Sequence, residues 1–172
     1  RLLQQKAHEE SIDYGMSVRG YVSTILRLHL LHKFESILDY GCGKGMLKLL
    51  LPGHGGADVV PIVSEYDPGL EDKSWEPRVA DLVVCIDVLE HIEPHKLDAV
   101  LNHIRGLARK MVFLTVALVE ATKTLEDGRN AHLIVKPQWW WLDALTDHWK
   151  MTAYSGTEKG FVFIGVPRGN QS

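Results

Sequence analysis

An α/β fold with a doubly wound, mostly parallel sheet is predicted by three features of the sequence. "ADLVVCIDV" (80–88) and "MVFLTVAL" (111–118) are near-continuous apolar runs, as expected of strands buried on both faces. Segments of helical periodicity alternate with such runs, which puts helices on both faces of one sheet. A turn with three alternating glycines follows the first apolar run, and sheets of this kind bind ligands beyond the carboxyl ends of their strands.

The elements follow in order. A polar helix is read over 2–12, broken at Tyr14 and Gly15. Val18, Val22, Ile25, Leu26 and Leu30 recur at helical spacing, so 17–33 reads as an amphipathic helix. "SILDY" (36–40) is the first strand, and Lys44 to Leu51 a helix stopped by Pro52 and Gly53. "ADVVPIV" (57–63) is the second strand, ending in the turn signal "SEYDPG". The 80–88 run supplies the next strand, over 80–87. Pro94 opens a helix to about 108, with Leu97, Val100, Leu101, Ile104 and Leu107 on one face. After the 111–118 strand comes a long irregular stretch, 119–136, and then a helix over 137–148. Strands 150–155 and 161–167 close the chain, joined through Gly156 and Gly160.

The 172 residues, 45% hydrophobic and 24% charged, suit one domain with one core, an N-terminal helical segment (1–33) leading into 34–172. A formal net charge of -3 without a Lys/Arg run gives no support to nucleic-acid binding, whose affinity comes largely from phosphate neutralisation. No apolar run reaches the roughly 20 residues of a membrane span. The first residues carry no apolar signal region. Cys42 and Cys85 belong to no CxxC pair and read as free thiols of a reducing, cytoplasmic setting.

"DYGCGKG" sets Asp39, Gly41, Gly43 and Gly45 between a strand and a helix. Glycines there remove Cβ atoms that would block a ligand, and the helix start offers unpaired N–H groups to an anionic group. Asp39 is placed to accept hydrogen bonds from an amine or to order the turn. The third glycine arrives one residue earlier than in the dinucleotide fingerprint, where Met46 now stands, so the turn suits a ligand without a pyrophosphate.

"ILDYGCGKG" resembles motif I of the class I S-adenosylmethionine-dependent methyltransferases, and "DLVVCIDVLEHI" (81–92) resembles their fourth-strand motif. The resemblance implies a Rossmann-like sheet with an antiparallel last strand, S-adenosylmethionine as cofactor and methyl transfer as the activity. It puts Asp39, Tyr40, Gly41, Cys42, Gly43 and Gly45 along the methionine end of the cofactor. An acid closing the second strand would hold the ribose hydroxyls: Asp67, with Glu65 as rival and Tyr66 beside the adenosine. Asp87, Val88 and Leu89 would line the sulfonium side.

One departure from the family is visible. Only Pro68 to Ala80 separates the second strand from the "DLVVCIDV" strand, too little for the usual helix, strand and helix. The third strand is therefore expected to be missing or reduced, with Leu70, Trp75 or Val79 replacing its adenine contacts.

The acceptor side is expected in the N-terminal segment and in the stretch after the fifth family strand, with Glu90 and His91 at the lip where an acceptor enters and Tyr14 and Arg19 as residues to close over the cofactor. Asp127, Arg129, Asn130 and His132 cluster there, followed by Trp139, Trp140 and Trp141. His91 and His132 are the candidate bases, each against the plainer reading of a loop-fixing histidine. His91 and His95 are four apart, but Pro94 intervenes and no third ligand is obvious, so no metal is expected. A small-molecule acceptor is favoured over nucleic acid. A nucleotide-dependent oxidoreductase and a non-catalytic binding module on the same fold remain the alternatives, and the oligomeric state is open.

Overall fold

The computed structural model describes residues 17–55 and 61–168. Six strands form one sheet in the order β2-β1-β3-β4-β6-β5. They are β1 (Ser36–Tyr40), β2 (Ile62–Tyr66), β3 (Ala80–Ile86), β4 (Ala108–Ala117), β5 (Trp149–Gly156) and β6 (Gly160–Pro167). β1 to β4 run parallel, while β6 lies antiparallel to both β4 and β5. The expected reversal of the last strand is therefore present. So is the loss of the third strand: between β2 and β3 stands only one 3-10 turn, Glu71–Lys73.

Among the described residues four helices, α1 (Val22–His32), α2 (Met46–Gly55), α3 (Leu97–Leu107) and α4 (Gln138–His148), cover the sheet. On one face, Val22 and Ile25 of α1 and Leu47 and Leu51 of α2 pack on Ile37, Leu82 and Phe113. On the other, Leu101 and Ile104 of α3 and Trp141 and Leu145 of α4 pack on Leu38, Val83 and Leu114. The alternation of each strand supplies both faces, so the apolar runs read above are strands with two cores. Asp81 is buried at the amino end of β3, where Lys110 Nζ (2.8 Å) and Glu35 N (2.9 Å) hold its carboxylate ionised.

Several boundaries moved. The strand expected over 57–63 is observed at Ile62–Tyr66; residues 56–60 lie outside the described residues. "SEY" looks like a turn because it is polar, but β2 is an edge strand of this sheet and tolerates polar positions. The expected 17–33 helix divides into a 3-10 turn, Ser17–Gly20, and α1. The region 94–108 likewise opens with a 3-10 turn, Pro94–Lys96. Pro52 does not stop α2: it sits in the last turns, where one missing backbone bond is tolerated, and the helix runs to Gly55. β4 starts at Ala108, three residues early, because Arg109 and Lys110 reach Asp81 from the strand. The polar helix read over 2–12 and Tyr14 lie outside the described residues. Among the described residues, no helix is long and apolar enough to cross a membrane.

Candidate functional site

The carboxyl ends of β1, β2, β3 and β4 open on a cleft of about 860 Å³. Its floor is the turn after β1. Gly41, Gly43 and Gly45 take φ of +76°, +48° and +72°, the left-handed region that glycine enters without a Cβ penalty. Tyr66 O accepts from Gly41 N (2.7 Å) and Cys42 N (3.2 Å), which ties the turn to the end of β2. A Cβ on Gly41 would come within 2.5 Å of Val88 Cγ2, so the turn and the segment after β3 are in close contact.

Four acidic side chains reach this cleft: Asp39, Asp67, Asp87 and Glu90. Asp39 is buried at the end of β1. Burial first, and the neighbouring Glu65 second, push its carboxyl up to about 7 against the pull of Lys73. Asp67 accepts from Gly43 N (3.0 Å) on one oxygen and from Gly69 N (2.8 Å) on the other. Its carboxylate thereby orders the glycine turn from the end of β2. Glu65 points out of the cleft. It pairs with β1 at Asp39 and bridges Lys73 (3.2 Å) and Lys48 (3.7 Å).

Asp87 has φ of +51°, a conformation uncommon outside glycine and held here by three bonds. Its N–H lies 3.0 Å from Thr115 Oγ1 and 3.3 Å from Thr115 O, and Thr115 Oγ1 donates to Asp87 Oδ1 (2.6 Å). The next turn, Leu89–His91, buries Glu90 completely. Glu90 Oε1 accepts from Ala117 N (2.9 Å), while burial, then Asp87, raises its carboxyl to about 8.

The long segment after β4 folds back onto that turn. The Asn130 side chain clamps it, accepting from Ala121 N and His132 N and donating to Ala121 O. Ile134 N donates to Glu90 O (3.0 Å). Arg129 Nη1 and Nη2 reach Glu93 (3.2 and 3.0 Å) and Nε reaches Asp127 (2.7 Å) on the outer surface. His91 and His132, 41 positions apart, meet edge to face with ring centroids 4.8 Å apart. His91 Nδ1 lies 2.8 Å from Ala131 O, and His132 Nδ1 bonds Val119 O. A carbonyl only accepts, so both Nδ1 atoms donate, and in the corresponding tautomer the ring lone pair is on Nε2.

Of the residues singled out from sequence, Asp39, Tyr40, Gly41, Cys42, Gly43, Asp67, Asp87, Val88, His91 and His132 border the cleft. Gly45, Tyr66 and Leu89 do not. A Cβ on Gly45 would lie 1.7 Å from Glu65 Oε1, so this glycine faces the Glu65–Lys73 pair. Tyr66 turns its ring to Tyr40 (5.0 Å) and His103 (5.9 Å), because strand alternation sends it to the α3 face. Leu89 is buried in the core. Arg19 is exposed outside the cleft. Of the segment after β2 it is Pro68 and Gly69 that border it, in place of Leu70, Trp75 and Val79. The tryptophans also stay outside: Trp141 is core, Trp140 packs against it and Trp139 is 70% exposed. Glu90 borders the cleft beside His91, at the lip where the sequence put both. Lys123, which lines the cleft, and Thr115, which holds Asp87 from β4, are the additions.

The chain matches a family model described as a methyltransferase domain over residues 13–157. It is 31% identical over 101 residues to the chloroplastic magnesium protoporphyrin IX methyltransferase of Arabidopsis thaliana; the match covers 48% of this chain and 32%, about a third, of that protein. Among solved structures, the magnesium protoporphyrin IX methyltransferase of Synechocystis PCC 6803 with bound S-adenosylhomocysteine superposes with a TM-score of 0.61 at 16% identity, over 89% of this chain and 84% of that one. The 1,6-didemethyltoxoflavin-N1-methyltransferase of Burkholderia thailandensis, with its substrate and S-adenosylhomocysteine, gives 0.67 at 14% identity, over 98% and 85%.

Proposed function

The chain belongs to the methyltransferase-domain family, and from that premise we propose that it binds S-adenosylmethionine above the Gly41–Gly45 turn and passes its methyl group to a small-molecule acceptor. The observation that carries the reading is the acidic cleft over a glycine floor: Asp39, Asp67 and Asp87 line the cleft whose floor is the turn where side-chain bulk is excluded. Such a surface suits a ligand bearing an ammonium and a sulfonium, and it repels a polyphosphate.

When bound, the cofactor supplies an electrophilic methyl group on a positively charged sulfur. Asp39 and the backbone of the turn hold the methionine end. Asp67, at the end of β2, accepts from two ribose hydroxyls, a task suited to a carboxylate because it accepts more than once. Asp87 and Val88 border the sulfonium side. The acceptor enters past Glu90, His91 and His132, whose lone pairs on Nε2 face proton chemistry. Alignment of an acceptor in such a cleft supplies up to roughly 7–11 kcal/mol of the barrier, so the chain mainly positions and excludes water.

Three facts favour a small acceptor. The cleft volume of about 860 Å³ falls within the range usual for small-ligand sites. Its lining is acid-rich, and the chain's net charge is -3. The three relatives above are named for small-molecule substrates. Calorimetry with S-adenosylhomocysteine and with NADH is the test. The reading expects binding of the first only; binding of NADH alone would move the protein to redox chemistry. Labelled-methyl transfer into fractionated small-molecule, RNA and protein pools then reads the acceptor class, with label expected in the first.

A further inference from the structure

Glu90, His91 and His132 do more than border the acceptor end. Each presents a ligand atom, and the three atoms lie within 4.8 Å of one another. Ligands of a tetrahedral ion at about 2.0–2.2 Å stand roughly 3.4 Å apart, so small side-chain rotations close the set onto one ion. Glu90 Oε2 is buried with no hydrogen-bond partner, an arrangement that costs free energy unless something occupies its lone pairs. Both histidines donate Nδ1–H to backbone carbonyls, which orients each ring and leaves Nε2 as the ligating atom. That pairing of a carbonyl behind each imidazole is the usual support of a metal-binding histidine. The supports are built in: Ile134 N on Glu90 O and the Asn130 clamp fix the segment that carries His132.

We propose that Glu90, His91 and His132 form a binding site for a divalent first-row transition ion at the acceptor end of the cleft. Two imidazoles and one carboxylate suit zinc, iron, cobalt or manganese better than magnesium or calcium, which favour all-oxygen sites. Three protein ligands leave open positions on the cleft side, where an acceptor hydroxyl binds. An ion there lowers the pKa of the hydroxyl it touches, and the proton released goes to water. The site therefore selects an oxygen acceptor. This acceptor chemistry rests on the methyl-transfer reading; the ion site does not.

The test uses the full chain, stripped with chelator and titrated with Co²⁺ alone, followed by calorimetry and visible absorption. One equivalent is expected to bind, with ligand-field bands and no thiolate charge-transfer band, which separates the site from Cys42 and Cys85. His132→Ala and Glu90→Gln should each weaken binding by about 100-fold or more, beyond the roughly 10–100-fold typical of losing only a supporting partner. Melting in chelator checks that each variant is folded; if Glu90→Gln is not, His91→Ala takes its place. Absence of Co²⁺ binding in the wild type, or undiminished binding in His132→Ala, overturns the proposal. S-adenosylhomocysteine is titrated separately into the wild type. If Co²⁺ binds and the nucleoside does not, the ion site stands and the methyl-transfer reading falls.

Discussion

The two ends of the cleft are assembled by different means. The floor comes from one stretch of chain: Asp39 to Gly45 leaves β1, turns and enters α2, braced by Tyr66 at the end of β2, by Asp67 and Lys73 after it, and by Val88. The acceptor end has no such local origin. Glu90 and His91 follow β3, His132 lies beyond β4, and two bonds join them, from the His91 ring to Ala131 O and from Ile134 N to Glu90 O. A site made by one turn is governed by allowed backbone angles. A site made by two distant segments is governed by which polar groups find partners when they meet.

The sharpest way to break that contrast is at the floor. Gly41→Val forces a branched residue into φ of +76° and drives its Cβ toward Val88, 2.5 Å away. Affinity for S-adenosylhomocysteine should fall by about 100-fold or more, at roughly 1.4 kcal/mol per tenfold. Calorimetry that finds the affinity intact would show that the glycine turn does not touch the donor.

Next in size is the acid that closes β2. Asp67→Ala removes charge-assisted hydrogen bonds worth about 1.5–3 kcal/mol each, so affinity should drop by roughly one to three orders of magnitude. Glu65→Ala should cost at most about threefold, under 1 kcal/mol, because Glu65 bridges Lys48 and Lys73 outside the cleft. If the Glu65 variant binds more weakly than the Asp67 variant in a side-by-side titration, the ribose contact belongs to Glu65.

The smallest effect is a pH dependence. Burial, and Glu65 beside it, push the Asp39 carboxyl up to about 7 in the folded chain, well above its ordinary value of 3.8. A cationic ligand needs the ionised form. Donor affinity should therefore weaken below pH 7, by at most about tenfold per pH unit, and Asp39→Asn should lose that dependence. Stability runs the other way. A carboxyl raised on folding makes the native state bind the extra proton between pH 3.8 and about 7, so its stabilising contribution fades as pH rises through 7. Asp39→Asn should accordingly melt higher than the wild type at pH 8. An unchanged melting temperature would mean that burial of Asp39 carries no cost.

The contrast also explains what could be read beforehand. Apolar runs placed β1, β3 and β6 to within about two residues, and the turn glycines Gly156 and Gly160 did the same for the exposed edge strand β5. β2 slipped by three residues at its end, since an edge strand with Ser64 and Glu65 looks like a turn until its pairing with β1 is known. That slip put Tyr66 in the sheet and turned it toward His103 and away from the cleft. The bend of Leu89 into the core is likewise invisible to a motif, which gives spacing without direction.

By itself the sequence determined the parallel sheet, the missing third strand and the floor of the cleft. Each depends on neighbours in the chain: apolar runs, the length of the segment from 68 to 80, and glycines where a turn demands positive φ. Only the tertiary structure decided that His91 meets His132, that Glu90 is buried with one oxygen uncommitted, and that three adjacent tryptophans stay out of the cleft. Those outcomes turn on the folding back of the segment after β4, where Asn130 and Ile134 satisfy buried backbone groups. Such bonds join residues with no periodic relation along the chain, and their partners are chosen only when the segments pack together.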